Sequence, residues 1–346
     1  MPVAPSSFVV TPVRERTEWD ELVRGLGGHP LQLWGWGTVK ETGPWRAHRL
    51  RVTSGDRTVG VAQVLVRRLP FPFRALSYVP RGPAVAPADP AAPAGFGVGD
   101  ESVRAGVGEA VVRWCRANVG GVGVSFEPDW PQGTSLPLAG AVPGAQPILL
   151  PSTIVLDLTR TPDELVAAMS RTTRADVRKG GRDVEIRRVT EEAEVRAVLD
   201  VYRETAAHAG FALHDPEYYL SIHRELADAS VVVAAFHEGR PCSFVWDVMS
   251  GATAFELYGG VNQAGRKARA NAPVKWFAVR FAQEAGLLRY DVNGLLNDGI
   301  SEFKRSFADH EDRLVGTVDV PFSPLYRLWV RAVPLAKRAI RALRRG

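Results

Sequence analysis

A lysine between aromatic residues, in Phe303-Lys304-x-x-Phe307, is where residue type and spacing most suggest chemistry. It follows a short strand from Leu288 to Val292, a turn at Gly294 and the segment Asn297-Asp298-Gly299, which restarts the chain as a helix. Held by Phe303 and Phe307, the lysine could reach from a packed helix into a cleft. A fixed ammonium there would oppose the negative charge that develops on an attacked acyl oxygen. A solvated helix lysine is the competing reading. Tyr258 ends a strand at Gly259-Gly260, where backbone can approach a ligand closely, and a buried core tyrosine is its alternative. Two basic stretches are candidates for a polyanion: Arg171 to Arg188, and the tail from Arg327 to Arg345 with seven basic residues and no acidic one. The tail's Tyr326, Leu328, Trp329, Val333, Leu335 and Ala336 also fit an interfacial helix, despite Pro334, with a frayed, solvated end as the alternative.

Other chemistries find no support. Gly-x-Ser-x-Gly, a Walker loop and His-Glu-x-x-His are absent, and the seven histidines show no metal-ligand spacing. Gly95-Phe-Gly-Val-Gly99 lies in a proline-rich loop, not after a strand, so it is no dinucleotide site. The two cysteines, Cys115 and Cys242, have no paired spacing and fit a reducing compartment. The net charge of +5 and pI near 9.4 suit a polyanionic partner. No apolar run approaches the roughly 18 residues of a span and the start lacks signal-peptide character, so a cytoplasmic location is expected, with peripheral contact at the inner membrane face through the tail.

The elements that must position these residues follow in order. A short helix begins at Thr17. A hairpin runs over Arg46–Val52 and Thr58–Val66, and a strand over Arg74–Val79 leads into Pro80-Arg-Gly-Pro83. The stripe Val103, Val107, Ala110, Val111, Trp114 predicts a helix from Glu101 to Asn118, before a strand from Val122 ending at Glu127-Pro128. An irregular segment, 137 to 151, marks a boundary. Beyond it, Thr161-Pro-Asp-Glu164 is a strong helix start. Helices at 191–209 and 216–226, a hairpin at 231–236 and 241–248, a strand at 254–259 and a helix at 272–285 complete the set. Helix, hairpin, strand, helix, strand thus occurs twice, predicting an α/β protein with mixed sheets. The expected division is 1–150, 151–322 and a basic tail at 323–346.

Gln32-x-x-x-Trp36-Gly37-x-x-Lys40, Tyr78-Val-Pro-Arg81-Gly82-Pro83, Glu127-Pro128, Thr153-Ile-Val-Leu-Asp157-Leu158, Arg174-x-x-x-Arg178, Tyr258-Gly259-Gly260 and Phe303-Lys304 occur in this order. Together they resemble the FemABX family, which moves an amino acid from aminoacyl-tRNA to an amine of the peptidoglycan stem peptide. The resemblance implies two tandem GNAT-like (acetyltransferase-type) domains with the acceptor in the cleft between them, Lys40 and Lys304 reaching that cleft, and no inserted coiled-coil arm. It implies Phe303 and Lys304 as the catalytic pair, with Lys304 near the tRNA's terminal adenosine or the reacting carbonyl. Lys40 matches a lysine holding phosphates of the acceptor's carrier, and Arg81 could serve the same anion. Glu127 matches an acidic residue near the acceptor amine, where it could take or orient a proton. Its alternative is an ion pair with a nearby arginine. Tyr258 and Tyr218 match acceptor contacts, and Arg174 and Arg178 lie in a basic segment suited to tRNA.

His214 departs from the pattern, since an arginine is expected there and a histidine cannot reproduce its bidentate grip. The departure leaves open a natural-product intermediate, such as a peptide antibiotic precursor, as acceptor in place of lipid II or its UDP-linked precursor. Glycine as donated residue is analogy only. An acyl-CoA-dependent acyltransferase is less favoured, because Gln263-Ala-Gly-Arg-Lys-Ala268 has arginine where the pyrophosphate loop needs glycine. A tRNA- or membrane-binding module without catalysis is the remaining alternative. The expected state is a monomer needing no cofactor, with aminoacyl-tRNA as co-substrate.

Overall fold

A computed structural model describes residues 8–86, 98–144 and 146–343, with side chains to residue 334. Most of the proline-rich loop before Asp100, and the basic side chains from Lys337 onward, lie outside the described residues. The chain divides into two compact units, Met1–Pro151 with Leu314–Gly346, and Ser152–Arg313.

In the first unit the long hairpin Trp45–Ser54 and Arg57–Arg68 is flanked by Phe8–Pro12 on one side and Ala75–Pro80 on the other. Gly123–Glu127 lies parallel to Ala75–Pro80, a pairing that needs a crossover. The helix Glu101–Asn118 lies between the two in sequence. Its Val107, Ala110, Val111 and Cys115 are buried against Leu50, Val52, Val64, Val124 and Phe126, the face its 3.6-residue period predicts. Val318–Pro321 pairs antiparallel with Gly123–Glu127 and with Val142–Pro143. Residues 314–322 therefore belong to the first unit, with 318–321 in its sheet, and not to the second half expected from the sequence. A strand of four residues with one proline carries too little local signal to reveal a partner so distant in sequence.

The second unit is a six-stranded mixed sheet ordered Glu185–Val189, Ser230–His237, Arg240–Ser250, Thr253–Val261, Arg289–Asp291, Val155–Asp157. Its second strand, Ser230–His237, is buried at nearly every position, as expected for a strand covered on both faces. The helix Asn271–Glu284 supplies Val274, Ala278 and Ala282 to a core with Val231, Val233, Ala254 and Tyr290. Thr161 and Glu164 form the capping box their spacing predicts, each side chain accepting from the other's backbone N–H. A bulge opposite Trp246 and Asp247 leaves Leu257 unpaired between Glu256 and Tyr258. Among the described residues no long helical hairpin interrupts this unit, and no helix is long and apolar enough to cross a membrane.

Candidate active site

Each unit positions part of the expected constellation. In the second, Arg289–Asp291 ends in a turn whose Asn293 takes positive φ, 63°, with its N–H donating to Asp291 Oδ1 at 2.8 Å. Thr153 Oγ1 donates to the same Asp291 oxygen. Asp298 then caps the helix Gly299–Arg305, accepting from Ser301 N at 2.8 Å. Lys304 folds back from this helix over the turn, and its Nζ donates to the carbonyls of Asn293 (3.2 Å) and Gly294 (3.4 Å). Its ammonium is thus held at the end of the sheet by two backbone oxygens.

Beneath it lies a buried ionic cluster that sequence reasoning missed. Lys275 Nζ sits 2.9 Å from Glu256 Oε2, with Lys275 wholly inaccessible. The Tyr290 hydroxyl stands between two carboxylates, 2.9 Å from Asp247 Oδ1 and 3.2 Å from Glu256 Oε2. One hydroxyl hydrogen can serve only one of them. Burial, then the nearby Glu256 charge, pushes Asp247 far above the usual carboxylate range. Phe303 and Phe307 pack edge to face, with centroids 5.3 Å apart and Lys275 Nζ 5.7 and 5.1 Å from their rings. The Phe303-Lys304-x-x-Phe307 spacing therefore places two rings against one buried lysine while Lys304 turns to the strand end. Burial, reinforced by Lys275, lowers the Lys304 pKa, against the opposing pull of Glu256, Asp291 and Asp298.

The bulge at Leu257 sends Tyr258 to other neighbours. Tyr258 meets Tyr202 and Tyr219 at centroid distances of 5.5 and 5.1 Å and hydrogen-bonds Tyr218. The His214 ring packs 4.2 Å from that of Tyr218, and His214 N donates to the Tyr219 hydroxyl at 3.0 Å. His214, Tyr218 and Tyr258 are thus brought together, with Tyr202 and Tyr219 added to the group. Burial pushes Tyr218 up to about 12, so these phenols stay neutral donors. Gly260 is explained by packing: a Cβ there would stand 2.7 Å from Thr205 Oγ1. The close approach expected at this glycine is made by a helix. Arg174 donates to the carbonyls of Ala167 (2.8 Å) and Met169 (2.7 Å), closing the helix before it, whereas Arg178 is exposed.

In the first unit, Lys40 ends the helix Trp34–Glu41 with its Nζ 4.2 Å above the Trp36 ring. Asp20 Oδ1 accepts from Trp34 N at 2.8 Å to fix the helix start. Gly37 lets that helix lie against the sheet, since a Cβ would fall 2.3 Å from Gln63 Oε1. Trp34 and Trp36 are platforms for cations: the Arg49 guanidinium lies 3.5 Å from the Trp34 ring centroid. Burial pulls the Lys40 ammonium down to about 8. If Lys40 grips a phosphate of the acceptor, kcat/KM for that acceptor falls as pH rises through about 8. Lys40→Met flattens this limb, which a pH series at low acceptor concentration reads. Stability moves oppositely: with the folded value below an ordinary lysine's 10.5, the neutral form's contribution is full above 10.5 and lost as pH falls through about 8.

Glu127 and Arg81 differ from expectation. Glu127 is 1% exposed and accepts four hydrogen bonds, from Tyr78 Oη, Thr317 Oγ1, Ile148 N and Leu149 N. Its oxygens are occupied in clasping three segments of one unit, a geometry that favours anchoring over proton transfer to an amine. Its partners are hydroxyls and amides, not the arginine weighed as an alternative. Arg81 is 2% exposed and donates to the Leu150 carbonyl at 3.2 Å, tying down the same segment.

Residues 167–305 match the family model for an acetyltransferase (GNAT) domain. The structure is similar to the crystal structure of FemX, with a TM-score of 0.79 and 17% identity over 93% of this chain and 100% of that one. It also resembles L-PGS from Bacillus licheniformis (TM-score 0.52, 11% identity, 94% and 96% covered). A C-terminal domain assigned to a lysylphosphatidylglycerol synthetase of Agrobacterium fabrum is comparable (0.54, 13%, 93% and 96%). No curated protein matches the sequence. The chain is a mixed α/β protein with the FemX-like fold.

Proposed function

We propose that the protein transfers an aminoacyl group from aminoacyl-tRNA to a primary amine. The preferred acceptor is the side-chain amine of a peptidoglycan stem peptide on lipid II or its UDP-linked precursor. The observation that carries this reading is the Lys304 ammonium held by the Asn293 and Gly294 carbonyls, on the fold shared with FemX. In the proposed step the neutral amine attacks the ester carbonyl, forming the new C–N bond. The ester C–O bond then breaks, the ribose oxygen leaves, and the amine's proton ends on that oxygen. Lys304 faces the carbonyl oxygen as it becomes negative, so the chain needs no nucleophile of its own. Arg171, Arg178 and Lys179, exposed on one helix, are the proposed tRNA contacts. His214, Tyr218 and Tyr258 form the proposed acceptor wall, with neutral hydroxyls suited to amides and carboxylates.

The acetyltransferase match supports a second reading, an acyl-CoA donor. Against it, the 263–268 run is occupied by its own structure. Asn262 Oδ1 accepts from Gly265 N at 3.0 Å, and a Cβ on Gly265 would lie 2.2 Å from the Cys242 carbonyl.

The test is transfer of labelled amino acid from a pool of charged tRNAs to lipid II and to its nucleotide precursor. Ribonuclease-sensitive labelling of either is expected. Labelling that requires acyl-CoA overturns the proposal in favour of the second reading, and labelling only of other amines redirects it to a natural-product acceptor.

A further inference from the structure

The turn joining Arg57–Arg68 to Ala75–Pro80 has an apolar tip that no role above uses. Leu69-Pro-Phe-Pro-Phe73 contains no polar side chain, and Phe71 at its centre is 96% exposed. Phe73 is tied by an edge-on ring contact, centroids 5.3 Å apart, to Trp329 of the tail helix Leu325–Leu343. The neighbouring Leu328 is 53% exposed. Exposed arginines border this apolar patch from both elements, Arg67, Arg68 and Arg74 from the turn and Arg327 and Arg331 from the helix. No acidic residue occurs between Asp56 and Asp89 or after Asp319.

We propose that this turn and the tail helix form one docking surface for an anionic lipid bilayer, with Phe71 as the inserted residue. An aromatic ring at a protruding tip has no pocket of its own and would enter the boundary between headgroups and acyl chains. Long arginine side chains around it lie at the depth of the lipid phosphates. Basic residues at such a surface add attraction to anionic headgroups, and neither sequence stretch carries a carboxylate of its own to oppose it. The surface stands on geometry independent of Lys304 and goes beyond the transfer reaction. Vesicle binding without transfer, or transfer without vesicle binding, separates the two proposals.

The experiment is sedimentation of the full chain with vesicles of phosphatidylglycerol and phosphatidylcholine, and with pure phosphatidylcholine, at low and high salt. Binding is expected to the anionic vesicles, weakening with salt, and Phe71→Ser lowers the partition coefficient by about tenfold. A second variant reports insertion directly. Cys115 and Cys242 are both buried, so Phe71→Cys takes a thiol-reactive, environment-sensitive dye selectively. Its emission shifts to the blue on anionic vesicles. Equal binding to neutral vesicles, an unshifted dye, or a Phe71→Ser variant that loses tRNA binding while keeping vesicle binding each overturns the proposal.

Discussion

Lys304→Met lowers the rate of aminoacyl transfer by about 10²- to 10³-fold, the loss expected when one preorganised donor to a developing oxyanion is removed. The acceptor KM changes little, because the charge matters most once the carbonyl oxygen has become negative. Methionine keeps an unbranched stem of similar length and removes only the ammonium, so the Asn293 and Gly294 carbonyls lose their donor. That costs about 1 kcal/mol in urea unfolding. A fall in rate of fivefold or less would remove Lys304 from the reaction. Lys304→Arg does not restore the rate, since a planar fork cannot take the place of a compact ammonium. Activity dependent on the charged form also declines as pH rises through the lowered Lys304 pKa, and so at lower pH than an ordinary lysine would give.

Lys275→Met destabilises the fold by about 3–5 kcal/mol, because it leaves the Glu256 carboxylate buried without its cation. Urea unfolding at neutral pH measures the loss. Adding Glu256→Gln to Lys275→Met recovers most of it, since the uncompensated charge is then gone. Asp247 has its folded pKa raised, so its protonated form stabilises the fold fully below the unfolded value near 3.8, and this is lost as pH rises through the folded value. A loss under about 1 kcal/mol at neutral pH, or no recovery in the double variant, would mean the contact is not an ion pair in solution.

What the sequence disclosed follows the range of the forces involved. The capping box at Thr161 and the apolar stripe of Glu101–Asn118 are local and were legible. So was the lysine helix, announced by Asp298, Gly299 and the two phenylalanines. The cluster around Lys275 was not, since Asp247, Glu256, Lys275 and Tyr290 come from four elements and each alone resembles an ordinary polar residue. Strand alternation would even put Glu256 and Tyr258 on one face. The unpaired Leu257 separates them, giving one to the ionic cluster and the other to the tyrosines. Glu127 was visible as a carboxylate at a strand end, but its donors at 148, 149 and 317 were too far along the chain to foresee.

The pairing of Val318–Pro321 with Gly123–Glu127 and Val142–Pro143 bears on the order in which the protein can form during synthesis. Residues 152–313 are one uninterrupted length of chain and leave the ribosome with every strand of their own sheet. The unit begun earlier must wait for residues 318–321, and until they arrive Gly123–Glu127 has one open edge and Thr317 is not yet there to donate to Glu127. The half translated second can thus finish folding first, reversing the usual vectorial sequence. The amino-terminal half, with its exposed strand edge, is the part of the nascent chain most in need of shielding.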